Sequence, residues 1–255
     1  GEKAKHLIGK KVSAFVQGDS TGTWSEYFIA KDTDIIVIQE DMDMEQAACF
    51  TVNPFTAYAM FETVKFTDTR TIIQNASGSQ LAAFIRKMAD EIGVETIDIV
   101  RKDNTANFLK SEGARNVLIE SEEEFEKKLE EVCLKLKPTV AFDAVGGHLS
   151  GIIYNNLAAH SDHIVYGGLS NKPISDLNVM GAIFHDKGLS GFNLIDWKNN
   201  LEEGEFEEIS KQLQRKFINK DYITNIQTRI PLEEIISGLK SYLGNMSGGK
   251  LLIKP

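Results

Sequence analysis

The sequence predicts an α/β fold: a doubly wound, six-stranded parallel sheet, with a remnant of a β-rich lobe built from both chain ends. Three observations predict it. Residues 70–93 (RTIIQNASGSQLAAFIRKMADEIG) read as a buried strand, a turn of small residues and a helix. Downstream, apolar runs of strand length alternate with helical patterns as far as residue 194. Two of those runs end in glycine pairs, Gly146-Gly147 and Gly167-Gly168, where the chain can turn sharply.

The central unit carries the most information. Residues 70–74 form the strand and residues 75–79 the turn. From Gln80 the apolar positions Leu81, Phe84, Ile85 and Met88 recur at helical spacing, and Gly93 stands where a helix stops. A strand feeding a helix through such a turn opens a dinucleotide-binding unit. There the first helical N–H groups face a pyrophosphate and the helix dipole favours its charge. Of the G-x-G-x-x-G fingerprint only Gly78 is a glycine; Ser77, Ser79, Ala82 and Ala83 are merely small. A strand–helix unit of some other doubly wound sheet has the same outline.

Ahead of this unit, residues 10–16 (KKVSAFV) read as a strand and Gly18, Gly22 and Thr23 as a loop. Residues 24–30 (WSEYFIA) and 35–38 read as two further strands. Three short strands are too few to close a β-domain, so this segment reads as the middle of a lobe. A helix begins at residues 44–49 and is broken by Asn53-Pro54; Pro54 suits the first position of a helix over residues 55–64, with Asn53 as its cap.

Beyond the centre, residues 96–101 (TIDIVR), 117–119, 139–145 (TVAFDAV), 163–166 and 188–194 read as strands, separated by helices over 104–112, 122–137 and 150–159. The charges of residues 122–137 read as a solvated face. After Trp197 the pattern changes to a helix over 206–217, the strand-like TNIQTRIP, a helix over 232–243 and a closing LLIKP. The expected divisions are residues 1–53, 54–198 and 199–255, the last returning to the amino-terminal lobe.

A chain of 255 residues is one large domain or two small ones, long enough for a real core. A net charge of -9 argues against a general binder of nucleic acid or anionic membrane. Two cysteines, Cys49 and Cys133, make neither a disulfide framework nor a four-thiolate zinc site, which points to a reducing, intracellular compartment. No apolar run reaches transmembrane length and no secretory signal opens the sequence. His160, Asp162 and His163 invite a metal site, but no third and fourth ligand stands at a suitable spacing.

Taken in order, WSEY, VNPFTAY, IIQNAS, IDIVRK, FDAVGG, VYGGLS, GFNL with Trp197, and GGKLLIKP resemble the medium-chain dehydrogenase/reductase superfamily. The resemblance is strongest to its zinc-free branch of NADPH quinone oxidoreductases and mitochondrial-type 2-enoyl thioester reductases, and it covers nearly the whole chain. It implies a Rossmann domain that binds NADPH, flanked by parts of a GroES-like lobe. It also implies that further residues precede Lys10, carrying most of that lobe and, in the enoyl reductases, a tyrosine proton donor. Tyr27 and Tyr58 have no claim to that role beyond structure.

The resemblance places Asn53 and Thr56 beside the nicotinamide, where an amide and a hydroxyl can bond its carboxamide and ribose; helix capping explains them as well. It places Ser77, Gly78, Ser79, Gln80 and Leu81 at the pyrophosphate turn. Relatives commonly have glycines where Gln80 and Ala82 stand. Arg101 and Lys102 follow the second strand of the sheet, where an acid would bind the ribose 2′-hydroxyl of NAD and where basic residues fit the 2′-phosphate of NADP. Surface charge at a strand end is the plain alternative, and Arg115 is a second candidate. Val145, Gly146, Tyr166, Gly167, Gly168 and Leu169 lie at carboxyl ends of strands, the ligand edge of such sheets, or mark ordinary turns. Phe192 and Asn193 would offer backbone groups to the carboxamide. Lys250 matches a lysine that reaches the cofactor, or snorkels at the surface.

The implied chemistry is hydride transfer from NADPH to an activated C=C or a quinone, in an enoyl thioester or a quinone-type small-molecule acceptor. Three readings stay open: an active reductase, a cofactor-binding module without catalysis, and a structural subunit of a larger assembly. Relatives pair through the edge strand near residues 188–194, which implies a homodimer.

Overall fold

From the amino end the chain forms a 3-10 turn (Glu2–Leu7), β1 (Val12–Ala14), β2 (Ile35–Val37), α1 (Met44–Ala48) and α2 (Asn53–Lys65). Next come β3 (Thr71–Gln74), α3 (Gln80–Glu91), β4 (Glu95–Val100), α4 (Asp103–Ser111), β5 (Asn116–Ile119), α5 (Phe125–Leu136), β6 (Val140–Asp143), α6 (Gly147–Asn156) and β7 (Ser161–Val165). The chain finishes with α7 (Val179–His185), β8 (Lys187–Gly191), α8 (Leu194–Asn199), α9 (Glu205–Ile218), β9 (Ile226–Pro231), α10 (Ile235–Gly244) and β10 (Lys250–Lys254). This computed structural model describes residues 1–16, 22–65, 67–244 and 246–254; Gly18 of the expected first loop lies outside them. Two compact units divide the chain, Ala57–Trp197 on one side and Gly1–Thr56 with Lys198–Pro255 on the other.

In the unit Ala57–Trp197 six parallel strands lie in the order β5-β4-β3-β6-β7-β8. All four residues of β3 and of β6 are buried, as strands covered on both faces must be. The helices cover those faces through apolar stripes. On α3 the stripe is Leu81, Phe84, Ile85 and Met88; on α5 it is Phe125, Leu129 and Cys133. Gly93, at φ 72°, ends the first of these turns as the sequence suggests. Strand order reverses between β3 and β6, so the carboxyl ends of these two strands mark the ligand crevice of a doubly wound sheet.

Two elements differ from expectation here. The last strand stops at Gly191 rather than continuing to residue 194, because the Asn193 side chain accepts from the N–H groups of Ile195 and Asp196 and starts α8. The segment before it contains α7, which the sequence does not announce. Its apolar residues Val179, Met180, Ile183 and Phe184 are exposed, so no core-facing stripe marks it.

The unit Gly1–Thr56 with Lys198–Pro255 joins the two chain ends through one buried and one half-buried amide. Gln214 accepts from the Gln39 N–H at 2.8 Å and donates to the Val37 carbonyl at 3.1 Å. Gln46 accepts from the Thr224 N–H at 2.7 Å and donates to its carbonyl at 3.1 Å. Phe50 packs edge-on against Phe55 and Phe217, at centroid distances of 5.0 and 5.5 Å. The expected strand over residues 24–30 is not formed: the segment bends, and Tyr27 and Ile29 are 88% and 79% exposed. Among the described residues no neighbouring strand bonds it. Among the described residues the strands of this unit pair only as β1 with β2, antiparallel, and β9 with β10, parallel. Among the described residues this unit therefore holds more helix than strand.

Candidate functional site

The turn after β3 is held by its own small polar side chains. Ser77 Oγ donates to the Gln74 carbonyl at 2.8 Å, and the Ser77 N–H reaches the Ile99 carbonyl on the neighbouring strand at 3.1 Å. Ser79 caps α3, its hydroxyl accepting from the Ala82 N–H at 3.2 Å. Ala76, at φ 46°, holds a left-handed conformation that glycine adopts more readily. The N–H groups of Gly78 and Leu81 have no acceptor among the described residues. These two donors at a helix start suit an anion.

A residue the sequence reading missed braces this turn. Arg86, one and a half turns along α3, donates from Nη1 to the Ser77 carbonyl at 2.7 Å and to the buried Asp98 carboxylate at 3.0 Å. Gln74 Nε2 donates to the same carboxylate at 2.7 Å and Thr96 Oγ1 at 2.9 Å. The signal was available: an acid at the fourth position of a buried strand demands a partner.

The carboxyl ends of β6 and β7 form two joined loops. The N–H groups of Tyr166, Leu169 and Ser170 donate to the carbonyls of Asp143, Ala144 and Val145, at 2.9, 3.0 and 2.9 Å. Gly146, at φ 72°, turns the first loop into α6. Gly167 is forced by contact: a Cβ there would stand 2.8 Å from the Ala144 carbonyl oxygen. Nothing lies within 4 Å of a Cβ on Gly168, which faces open space. Beneath the loops the Asp143 carboxylate is fully buried. Burial pushes its carboxyl up, but hydrogen bonds from His163, Ser150, Asn75 and the Gly146 N–H outweigh that and hold it well below the usual carboxylate range.

Arg101 and Lys102 lie at the carboxyl end of β4, exposed, with Lys102 preceding the first residue of α4. Burial raises the Glu120 carboxyl, and the charge of Arg101 opposes the shift. Arg115 is corrected: it stands before β5 and pairs at 3.8 Å with Glu95, the first residue of β4. That is the amino edge of the sheet, away from the ligand edge. Phe192 spends its N–H on the Val165 carbonyl at 2.8 Å, so only its carbonyl side can serve a ligand, and the side chain of Asn193 is engaged in capping.

Asn53, Thr56 and Lys250 belong to the other unit. Asn53 does not cap α2; it lies inside the helix, where the Val52 carbonyl takes the Thr56 N–H at 2.9 Å. Among the described residues its side-chain amide has no hydrogen-bond partner. Thr56 is buried. Burial lowers Lys250, and Cys49 nearby opposes that shift. His160 pairs with Asp186 at 3.1 Å, whereas His163 is buried against Asp143 at 2.9 Å. Among the described residues no three His, Cys, Asp or Glu side chains gather to hold a metal ion. No helix among them is long and apolar enough to cross a membrane.

No protein-family model matches the chain. Individual relatives do. A protein of Mesorhizobium loti assigned as an NADPH:quinone reductase superposes with a TM-score of 0.87 at 31% identity, over 92% of this chain and 67% of that one. The chain belongs to the medium-chain dehydrogenase/reductase family. The mitochondrial enoyl-[acyl-carrier-protein] reductase of Mus musculus is 34% identical over 79% of this chain and 57% of its own length. Its Arabidopsis thaliana counterpart is 29% identical over 94% of this chain and 67% of its own length. The chain thus spans between 57% and 67% of these relatives. Family membership accounts for the layout above: six strands, the turn at residues 77–81, and the two joined loops all at one edge of the sheet.

Proposed function

We propose that the chain is the NADPH-binding part of a reductase that delivers hydride to an activated C=C, as in an enoyl thioester, or to a quinone. The observation that carries this reading is the arrangement at the carboxyl edge of the sheet. The turn at Ser77–Leu81, the basic pair at Arg101-Lys102 and the glycine loops at Val145-Gly146 and Tyr166–Leu169 all stand on that edge of one unit. Gly168, open where a Cβ would intrude, and the N–H donors of Gly78 and Leu81 fit a dinucleotide. NADPH supplies the hydride.

The chain's own groups divide the work of binding. Gly78 and Leu81 N–H groups, at the positive end of the α3 dipole, hold the diphosphate. Arg101 and Lys102 pair with the 2′-phosphate and so select NADPH over NADH. Val145, Gly146, Gly168 and Leu169 present backbone to the nicotinamide ribose, and the Phe192 carbonyl with Asn193 orients the carboxamide. We also assign cofactor binding to Asn53, Thr56 and Lys250.

The same reading covers partners and place. Among the described residues the outer edge of β8 is unpaired, and apolar residues on it and on the preceding α7 are exposed: Leu189 on the strand, and Ile183 and Phe184 on the helix. A second copy pairing edge to edge would bury them under two-fold symmetry. The curated relatives named above are mitochondrial, and we extend that compartment to this chain. Calorimetric titration with NADPH and NADH tests the whole. Saturable binding of NADPH, tighter than NADH, is expected; no binding of either overturns the reading. NADPH oxidation with an enoyl thioester or a quinone then separates the two acceptors.

A further inference from the structure

We infer that Asn75 and Asp143 form a clamp that positions the two loops on which the nicotinamide end of the cofactor rests; the inference builds on the NADPH reading above. Neither side chain is accessible, since both are fully buried. They act through the loops. Asn75 Nδ2 donates to Asp143 Oδ1, and Asn75 Oδ1 accepts from the Ala144 N–H at 2.8 Å. Asp143 Oδ1 also accepts from the N–H groups of Val145 at 2.8 Å and Gly146 at 3.0 Å. Three successive N–H groups of the first loop are therefore held by two side chains, one at the end of β3 and one at the end of β6. The second loop hangs from the first through its bonds to Asp143, Ala144 and Val145. Residues placed at the cofactor, Val145, Gly146, Gly168 and Leu169, ride on these loops.

The other oxygen of the same carboxylate has a different task. Asp143 Oδ2 accepts from Ser150 Oγ on α6 and from His163 Nε2 on β7, at 2.9 Å for the histidine. His163 Nδ1 has no partner among the described residues, so the tautomer with its proton on Nε2 satisfies the pair. This side ties a helix and a strand to the sheet and touches neither loop. Because Ser150 is as buried as Asn75, losing either costs stability. Only the loss of Asn75 releases the loops.

The test compares Asn75→Ala and Ser150→Ala with the unaltered chain, by hydrogen exchange without ligand and by NADPH calorimetry. In Asn75→Ala, exchange across residues 144–147 and 166–170 should speed up and the NADPH Kd should rise, each by about tenfold, the effect of one buried hydrogen bond. Ser150→Ala should lower Tm and leave both within about twofold. If the first variant fails to fold, Asn75→Ser, whose hydroxyl cannot span both partners, carries the same expectation. Equal exchange in the two variants, or faster exchange with an unchanged Kd, overturns the clamp. If the unaltered chain binds no NADPH, the nucleotide reading falls, and the exchange data alone decide whether the clamp orders the loops.

Discussion

Arg86 and Asp98 form an ion pair at 3.0 Å in which the carboxylate is fully buried and the arginine side chain is 17% exposed. The same Arg86 nitrogen holds the Ser77 carbonyl at 2.7 Å. One cation thus fixes both a buried acid on β4 and the turn that opens α3. A turn built without the usual glycines keeps its shape this way, by side-chain bracing rather than by backbone freedom.

Arg86→Met should therefore cost about 3 kcal/mol, because it strands a buried charge. It should also weaken NADPH binding by loosening the turn. Adding Asp98→Asn removes the stranded charge, so the double variant should lose less stability than the sum of the two single ones. Urea denaturation of the four proteins gives the coupling.

Gly167 and Gly168 are neighbours with opposite expected behaviour. Gly167→Ala drives a Cβ to 2.8 Å from the Ala144 oxygen and should destabilise by about 1–3 kcal/mol as the loops are forced apart. Gly168→Ala meets nothing within 4 Å, so Tm should hold while the NADPH KM rises. Thermal unfolding and steady-state kinetics on both variants separate the effects.

Replacing Arg101 and Lys102 together with glutamate should abolish the preference for NADPH over NADH. Each charge-assisted hydrogen bond to the 2′-phosphate contributes on the order of 1.5 kcal/mol, about tenfold in Kd. NADH affinity should change little, since it lacks that phosphate. Paired titrations with the two nucleotides read the ratio directly.

Glu45 sets part of the acid stability of its unit. Hydrogen bonds from Arg229 and then Lys254 lower its pKa to about 2. Arg229 grips it with Nε at 2.8 Å and Lys254 lies at 2.9 Å. A depressed carboxylate stabilises the fold above its unfolded pKa of about 4.3, and that stability is lost as pH falls toward 2. Glu45→Gln should thus be less stable than the unaltered chain at pH 6, and the gap should close between about pH 4 and 2. Urea midpoints across that range measure it.

The β8 edge supplies a fifth expectation. Leu189→Lys with Phe184→Glu should turn a dimer into a monomer in sedimentation while leaving Tm of the monomer unit near its original value. Charges on an edge strand oppose edge-to-edge pairing. A dimer that survives both changes rules out this edge.

Much of the sheet could be read directly from the residues. Ile72 and Ile73, Ile97 and Ile99, and Val140 to Phe142 are apolar runs that only a covered strand accommodates, and the stripes of α3 and α5 repeat at helical spacing. The site was harder to read. Asn75, Asp143, Gln46 and Gln214 look in sequence like ordinary surface polar residues, yet all but Gln46 are fully or almost fully buried and each is bonded to a specific partner. Their roles depend on partners as much as 68 and 178 residues away, Asp143 for Asn75 and Thr224 for Gln46, which no local pattern encodes. The WSEYFIA stretch fails for the same reason: its aromatic and β-branched residues suit a strand, but a strand also needs a neighbour.

By itself the sequence determined the order of strands and helices from β3 to β7, the small-residue turn before α3 and the basic pair after β4, because propensity, periodicity and turn chemistry are local. Only the tertiary structure decided that Arg86 braces the turn, that Asn75 and Asp143 meet beneath the loops, and that Arg115 lies at the wrong edge. Those are facts of which groups share a low-dielectric interior, where a polar side chain stays only if a distant part of the chain arrives to bond it.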